Sequence, residues 1–95
     1  MTHEKILKRA DGSRVRVTVT LVVNWTETRW TVIVERCAKK SRKWICPRLP
    51  KEYYNARTPE AAARKMKRDA KLAWASQDEI ESVMRELIEQ IKPVF

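Results

Sequence analysis

A chain of 95 residues, 43% hydrophobic and with four tryptophans, forms one domain (1–95) with a core of its own and is not a disordered tail. Its 21 Lys and Arg outweigh 12 Asp and Glu, and the formal net charge of +9 predicts attraction to polyanions. Two cysteines and one histidine cannot supply a structural zinc site, and a single glycine excludes a Gly-rich phosphate loop.

The charge is unevenly spread. Residues 1–76 carry 19 Lys and Arg against 7 Asp and Glu, whereas 77–95 carry 2 against 5. Residues 36–48 hold Arg36, Lys39, Lys40, Arg42, Lys43 and Arg48 with no acid among them. An even solvating coat would not be arranged in this way, so one end of the molecule should be strongly positive.

The first residues (Thr2-His3-Glu4-Lys5) precede no apolar run, so no secretory signal is expected. No stretch approaches the ~20 apolar residues of a membrane span. A cytoplasmic protein with reduced thiols, making no contact with a membrane, is the expectation.

In chain order, residues 3–10 read as a short charged edge strand. Asp11-Gly12 follows, and an Asp-Gly pair between two strand-like runs signals a hairpin because glycine accepts positive φ. Residues 14–25 alternate Val15, Val17, Val19, Leu21, Val23 and Trp25 with Arg14, Arg16, Thr18, Thr20, Val22 and Asn24. That period of two describes a long strand with one apolar and one mostly polar face.

A loop at 26–29 leads to a third strand over 30–36. Its register sets Trp25 opposite Trp30, Val23 opposite Val32 and Leu21 opposite Val34, all on the core face. A basic turn at 38–42 then precedes a fourth strand at 43–48, ended by Pro47 and Pro50 and so placed at an edge. With the turn centred on Lys40-Ser41, Cys37 and Cys46 become cross-strand neighbours. Residues 47–58 read as an irregular connection pinned by Tyr53 and Tyr54.

Thr58-Pro59-Glu60 opens a helix with a capping Thr, Pro at the first position and an acid in the first turn. Ala62, Met66, Ala70 and Ala73 form its buried stripe with Trp74 at the flank, and Arg64, Lys67, Arg68 and Lys71 form a basic stripe opposite. Ser76 to Glu79 is a capping box that starts a second helix. Its apolar positions are Ile80, Val83, Met84, Leu87, Ile88 and Ile91, and Pro93 stops it. The fold expected is α+β: a four-stranded antiparallel meander with two C-terminal helices on one face, ββββαα.

Catalysis finds little support in these residues. His3 falls on a terminus that should fray, no Ser or Cys has a base at a meaningful spacing, and Glu79, Glu86 and Glu89 read as a solvated helix face. No catalytic residue, metal ligand or cofactor is therefore assigned, and the protein is expected to be no enzyme. Nucleic-acid binding remains, DNA first. An uncovered sheet face bearing Arg14, Arg16, Thr18, Thr20, Thr31, Trp44 and Cys46, rimmed by the basic turn, can contact phosphates, base edges or an unpaired base. The binding set is Arg14, Arg16, Thr31, Arg36, Lys39, Lys40, Arg42, Lys43, Trp44 and Arg48, with Arg64, Lys67, Arg68 and Lys71 as a secondary stripe. A polar, Arg/Thr-bearing face is also what any solvated antiparallel sheet presents, and Trp44 joins the core if the last turn differs by one residue.

The run Arg29-Trp30-Thr31-Val32-Ile33-Val34, the basic stretch 42–45 and the helix start Thr58-Pro59-Glu60-Ala61-Ala62 resemble the AP2-like, arm-type DNA-binding domains at the N-termini of phage and transposon integrases. The likeness covers residues 14–75. It implies a three-stranded sheet entering the major groove, which would implicate Arg14, Arg16, Thr31, Arg42 and Trp44. The extra N-terminal strand, the second amphipathic helix and the lack of a Gly-bearing turn depart from that pattern. A different class of reading is a small phage- or plasmid-type inhibitor or adaptor that binds a protein or nucleoprotein target through the open face or the strand edge at 4–10. The width of the second helix also allows a helix-mediated homodimer.

Overall fold

The computed structural model describes residues 1–46, 54–67, 69 and 72–91. Its elements are β1 (Thr2–Lys8), β2 (Arg14–Val23), β3 (Thr28–Cys37), β4 (Tyr54–Asn55), α1 (Pro59–Met66) and α2 (Gln77–Ile91). The strands form one antiparallel sheet in the order β1-β2-β3-β4, and both helices follow, giving the ββββαα architecture.

Alternation in β2 decides which face is covered. Val15, Val17, Val19 and Leu21 are buried, as are Trp30, Val32 and Val34 from β3. These join Ala62, Met66, Leu72, Ile80, Val83, Met84 and Leu87 in a single apolar cluster, so both helices pack on the same side of the sheet. Among the described residues no helix lies on the other side.

The β1–β2 hairpin turns at Asp11-Gly12 for a specific reason. Gly12 has φ +91°, a left-handed conformation that glycine adopts without penalty. Asp11 Oδ1 accepts hydrogen bonds from the Ser13 amide (2.8 Å) and hydroxyl (2.6 Å), and the Arg9 amide donates to Ser13 O.

The β2–β3 connection falls earlier than expected. Asn24 Oδ1 accepts from the amides of Thr26 (3.1 Å) and Glu27 (3.0 Å), and this side-chain turn closes the hairpin at Asn24–Glu27. Val23 pairs with Thr28, and the register sets Leu21 opposite Trp30, Val19 opposite Val32 and Val17 opposite Val34. The expected pairing of Trp25 with Trp30 is corrected by four residues. An even offset keeps every side chain on its face, which is why the core set survives the change. Val23 and Trp25 do not: Val23 at the end of β2 is exposed, and Trp25 projects fully exposed from the loop. Trp30 is buried instead and donates its indole N–H to Ala56 O at 3.0 Å.

The expected fourth strand at 43–48 is also corrected. Among the described residues of that stretch only Ile45 pairs, in an isolated bridge to Arg36 (2.9 and 2.8 Å), and the named fourth strand is Tyr54–Asn55 against Arg29 and Trp30. Prolines at 47 and 50 have no N–H for a ladder, so the outer edge of β3 is shared between two separate segments. The bridge sets Trp44, not Cys46, across from Cys37. Both thiols are free, Cys37 buried and donating to Ser41 O, Cys46 exposed. Pro47, Arg48, Pro50 and Tyr53 lie outside the described residues; Tyr54 does pin its segment, through a hydroxyl hydrogen bond to Asp69.

Thr58 caps α1, its Oγ1 accepting from the Ala61 amide at 3.2 Å, with Pro59 at the first position. The helix ends at Met66, shorter than its expected stripe. Asp69, Leu72 and Ala75 then form successive turns, each amide bonding three residues back. Leu72 takes the core place assigned to Ala73, which is exposed, and Ala70 lies outside the described residues. The capping box at the start of α2 is present in both directions: the Ser76 amide donates to Glu79 Oε1 (2.9 Å) and the Glu79 amide to Ser76 Oγ (3.1 Å).

Candidate nucleic-acid interface

The open face is built by the even positions of β1 and β2 and the odd positions of β3. Thr2, Glu4, Ile6 and Lys8 lie beside Arg14, Arg16, Thr18, Thr20 and Val22, and these beside Arg29, Thr31, Ile33, Glu35 and Cys37. Residues 38–44 turn back over the end of this face, bury Cys37 and bring Trp44 onto it. The Arg16 guanidinium lies 4.4 Å from the centre of the Trp44 ring, and the Arg14 guanidinium 5.5 Å from it. Each contact adds about 0.5–1 kcal/mol at such a half-open site. Trp44 therefore belongs to the sheet's open side and not to the core.

Two of these arginines are anchored in different ways. Arg14 donates to Ser41 O at 3.1 Å and to Cys37 Sγ at 3.2 Å, tying the turn to the sheet. Arg16 makes a bidentate pair with Glu35, both bonds 2.9 Å, across the β2–β3 ladder. This pairing holds the Arg16 pKa above its ordinary value. Glu35 is the functional neighbour missed in the sequence, since it sits one residue before the acid-free run and only the correct register sets it opposite Arg16.

The turn is the more strongly cationic part. Lys39, Lys40, Arg42 and Lys43 are exposed, and among the described residues no carboxylate pairs with any of them. Lys40 has φ 64° at the apex, and the Lys39 stem crosses Gly12 closely enough that a Cβ there would lie 3.0 Å from it. Arg36 differs from the other expected contacts. It alternates onto the helix-facing side at the sheet's end, 3.9 Å from Asp11. Arg48 lies outside the described residues. Arg64 and Lys67 are exposed on the helical layer, away from the open face, and Arg68 and Lys71 lie outside the described residues.

The acidic half of the chain is engaged elsewhere. Glu79 takes two hydrogen bonds from Arg9, at 2.6 and 2.9 Å, and Glu86 binds Lys5 (2.7 Å) and His3 (2.8 Å). Both carboxyl groups are held below the ordinary range by these donors, Glu79 at about 2. The expectation of a solvated Glu79 and Glu86 and a frayed His3 is thus corrected: His3 is inside β1 and also bonds Gln90. Glu81 pairs with Arg85 on α2 itself. None of these acids reaches the open face.

A cleft of about 280 Å³ opens by α1 and α2, lined among others by Met66, Leu72, Ala75 and Ile80 with Lys67 and Asp69. Among the described residues its lining has no histidine, cysteine or carboxylate pair. Among the described residues no three His, Cys, Asp or Glu side chains converge as metal ligands would, and no helix is long and apolar enough to cross a membrane. Comparison with protein-family models, curated proteins and solved structures returns no match.

Proposed function

We propose that this is a small, basic, non-enzymatic nucleic-acid-binding protein, with duplex DNA as its first ligand. The observation that carries the reading is the set of four exposed cations at Lys39, Lys40, Arg42 and Lys43, with no carboxylate partner among the described residues, beside the Arg14–Trp44–Arg16 stack on the open face. Like charges held this close repel one another until an anion arrives, and a polyanion answers them all at once. Since Glu35 offsets Arg16, affinity resides mainly in the turn. The sheet contributes shape, with Thr18, Thr20 and Thr31 near base edges and Arg14 on phosphate. The AP2-like pattern of the sequence agrees with a sheet laid in the major groove.

Retention on immobilised duplex DNA at moderate salt tests this. Arg42→Glu with Lys43→Glu abolishes it, and the logarithm of the wild-type affinity falls with the logarithm of salt at a slope of about −0.9 per phosphate neutralised. Arg64→Glu with Lys67→Glu makes the same charge change on the helical layer and leaves most of the retention. Equal losses in the two pairs would mean that net charge alone binds, and unchanged retention in the first pair would refute the reading.

An inhibitor or adaptor that meets a protein or nucleoprotein is the second reading. It is favoured by the apolar end of the molecule, where Met1, Val22, Val23 and Trp25 are all exposed. Gel shifts that stay weak, salt-sensitive and blind to sequence and strandedness support it over the first.

A further inference from the structure

The outermost strand, β1, has one side without a partner among the described residues. Which backbone groups face that side follows from the pairing on the other. Met1 and Leu21 exchange both hydrogen bonds (2.8 and 3.1 Å), and at the far end the Arg9 amide reaches Ser13 O at 2.9 Å. In an antiparallel ladder bonded pairs recur every second residue, so His3, Lys5 and Leu7 also spend their groups on β2. The N–H and C=O groups of Thr2, Glu4, Ile6 and Lys8 point outward. Their side chains are the ones on the open face, with Glu4 and Lys8 exposed and in no salt bridge among the described residues, Glu4 near Arg16, and Ile6 48% exposed.

Such an edge is a template for another strand. No proline interrupts it, and its register with β2 runs unbroken from Thr2 to Lys8. The lysine on its helix-facing side, Lys5, is held by Glu86 and does not swing across.

We propose that this edge joins a second copy of the chain, β1 against β1, about a two-fold axis through Ile6. Antiparallel addition must match outward groups with outward groups, so only pairings between even residues qualify. In the arrangement centred on Ile6, that residue lies against its own copy and each Glu4 faces Lys8 of the other chain. Six backbone hydrogen bonds form, two at Ile6 and two at each Glu4–Lys8 pair. The arrangement centred on Lys5 would set two lysines face to face and leave Glu4 opposite Ile6. Charge complementarity therefore selects the Ile6 axis. The product is an eight-stranded sheet with both open faces on one side and a basic turn on either side of the axis. It stands independently of whether that face meets nucleic acid.

Sedimentation equilibrium on the full chain tests it across a concentration series. The wild-type mass rises from one chain toward two. Ile6→Pro removes an outward N–H that the monomer does not use, so it stays monomeric with an unchanged circular dichroism spectrum. Glu4→Lys and Lys8→Glu each turn two attractive pairs into repulsive ones and weaken the dimer about tenfold. The double swap, Glu4→Lys with Lys8→Glu, restores it, and this series decides the matter even if Ile6→Pro fails to fold. A wild type that stays monomeric, an Ile6→Pro variant that folds and still dimerises, or a double swap no tighter than the single ones would overturn the proposal.

Discussion

Arg9 and Glu79, seventy residues apart, form a bidentate pair at 2.6 and 2.9 Å that fastens the first hairpin to the start of α2. Arg9 also donates to Trp74 O at 2.9 Å, and Glu79 simultaneously closes its own helix cap. One carboxylate thus serves both the helix start and the tertiary clamp.

Stability should follow that carboxylate in acid. Glu79 titrates at about 2 in the folded chain against an ordinary value near 4.5. A lowered folded pKa gives stability that is complete above the ordinary value and is lost as pH falls from about 4.5 toward 2. Glu86 adds in the same direction. Glu79→Gln should cost about 1–2 kcal/mol at pH 7, allowing for the solvent that reaches the pair, and the gap to wild type should narrow below pH 4.5 and close only near pH 2. Urea midpoints across that range measure it.

Two tryptophans should behave in opposite ways. Trp30 is wholly buried and its indole N–H satisfies Ala56 O, so Trp30→Phe leaves a void and an unpaired carbonyl. A loss of about 1–3 kcal/mol is expected. Trp25 touches nothing it could lose, and Trp25→Ala should change stability by no more than about 0.5 kcal/mol. Chemical denaturation followed by circular dichroism compares them.

Gly12→Ala should be costly although the site is exposed. Its φ of +91° strains any L side chain, and the new methyl would press on the Lys39 stem. About 1–2 kcal/mol should be lost. Lys39→Ala in the same chain should recover only the steric share, because backbone strain remains.

The two thiols should separate cleanly in labelling. Cys37 is fully buried and reacts only on unfolding. Cys46 is accessible, but partial desolvation and the nearby Glu35 carboxylate raise its pKa above the ordinary thiol value. Its alkylation at neutral pH should therefore be slow and should accelerate as pH rises. Glu35→Gln should speed it at pH 7.5, and a rate left unchanged would count against that carboxylate's influence.

Much of this architecture is legible because local rules and global packing agree. The alternation of Val15, Val17, Val19 and Leu21 fixes a face, and Ser76 with Glu79 starts a helix whose apolar positions all turn inward. The register of β2 on β3 was not legible, because a shift of four residues satisfies the same alternation. Only the Asn24 side chain, bonding two amides ahead, decides where the chain reverses. The fourth strand was misplaced because Ile45 pairs once and the prolines forbid more. On the candidate site, the grouping of Arg14, Arg16 and Trp44 follows from strand parity. The partnerships of Glu35, Glu79 and Glu86 do not, since each depends on a contact distant in the chain.

The bonds from His3, Lys5 and Arg9 to α2 span 70 to 83 residues, so the first hairpin is completed by the last helix described. On a ribosome, β1 and β2 emerge and can pair while α2 is still being translated or lies within the exit tunnel. The covered face of the sheet must therefore wait, bare and apolar, until α2 has emerged. A slow codon in the message between β3 and α2 would prolong the interval in which Val17, Val19 and Trp30 face water.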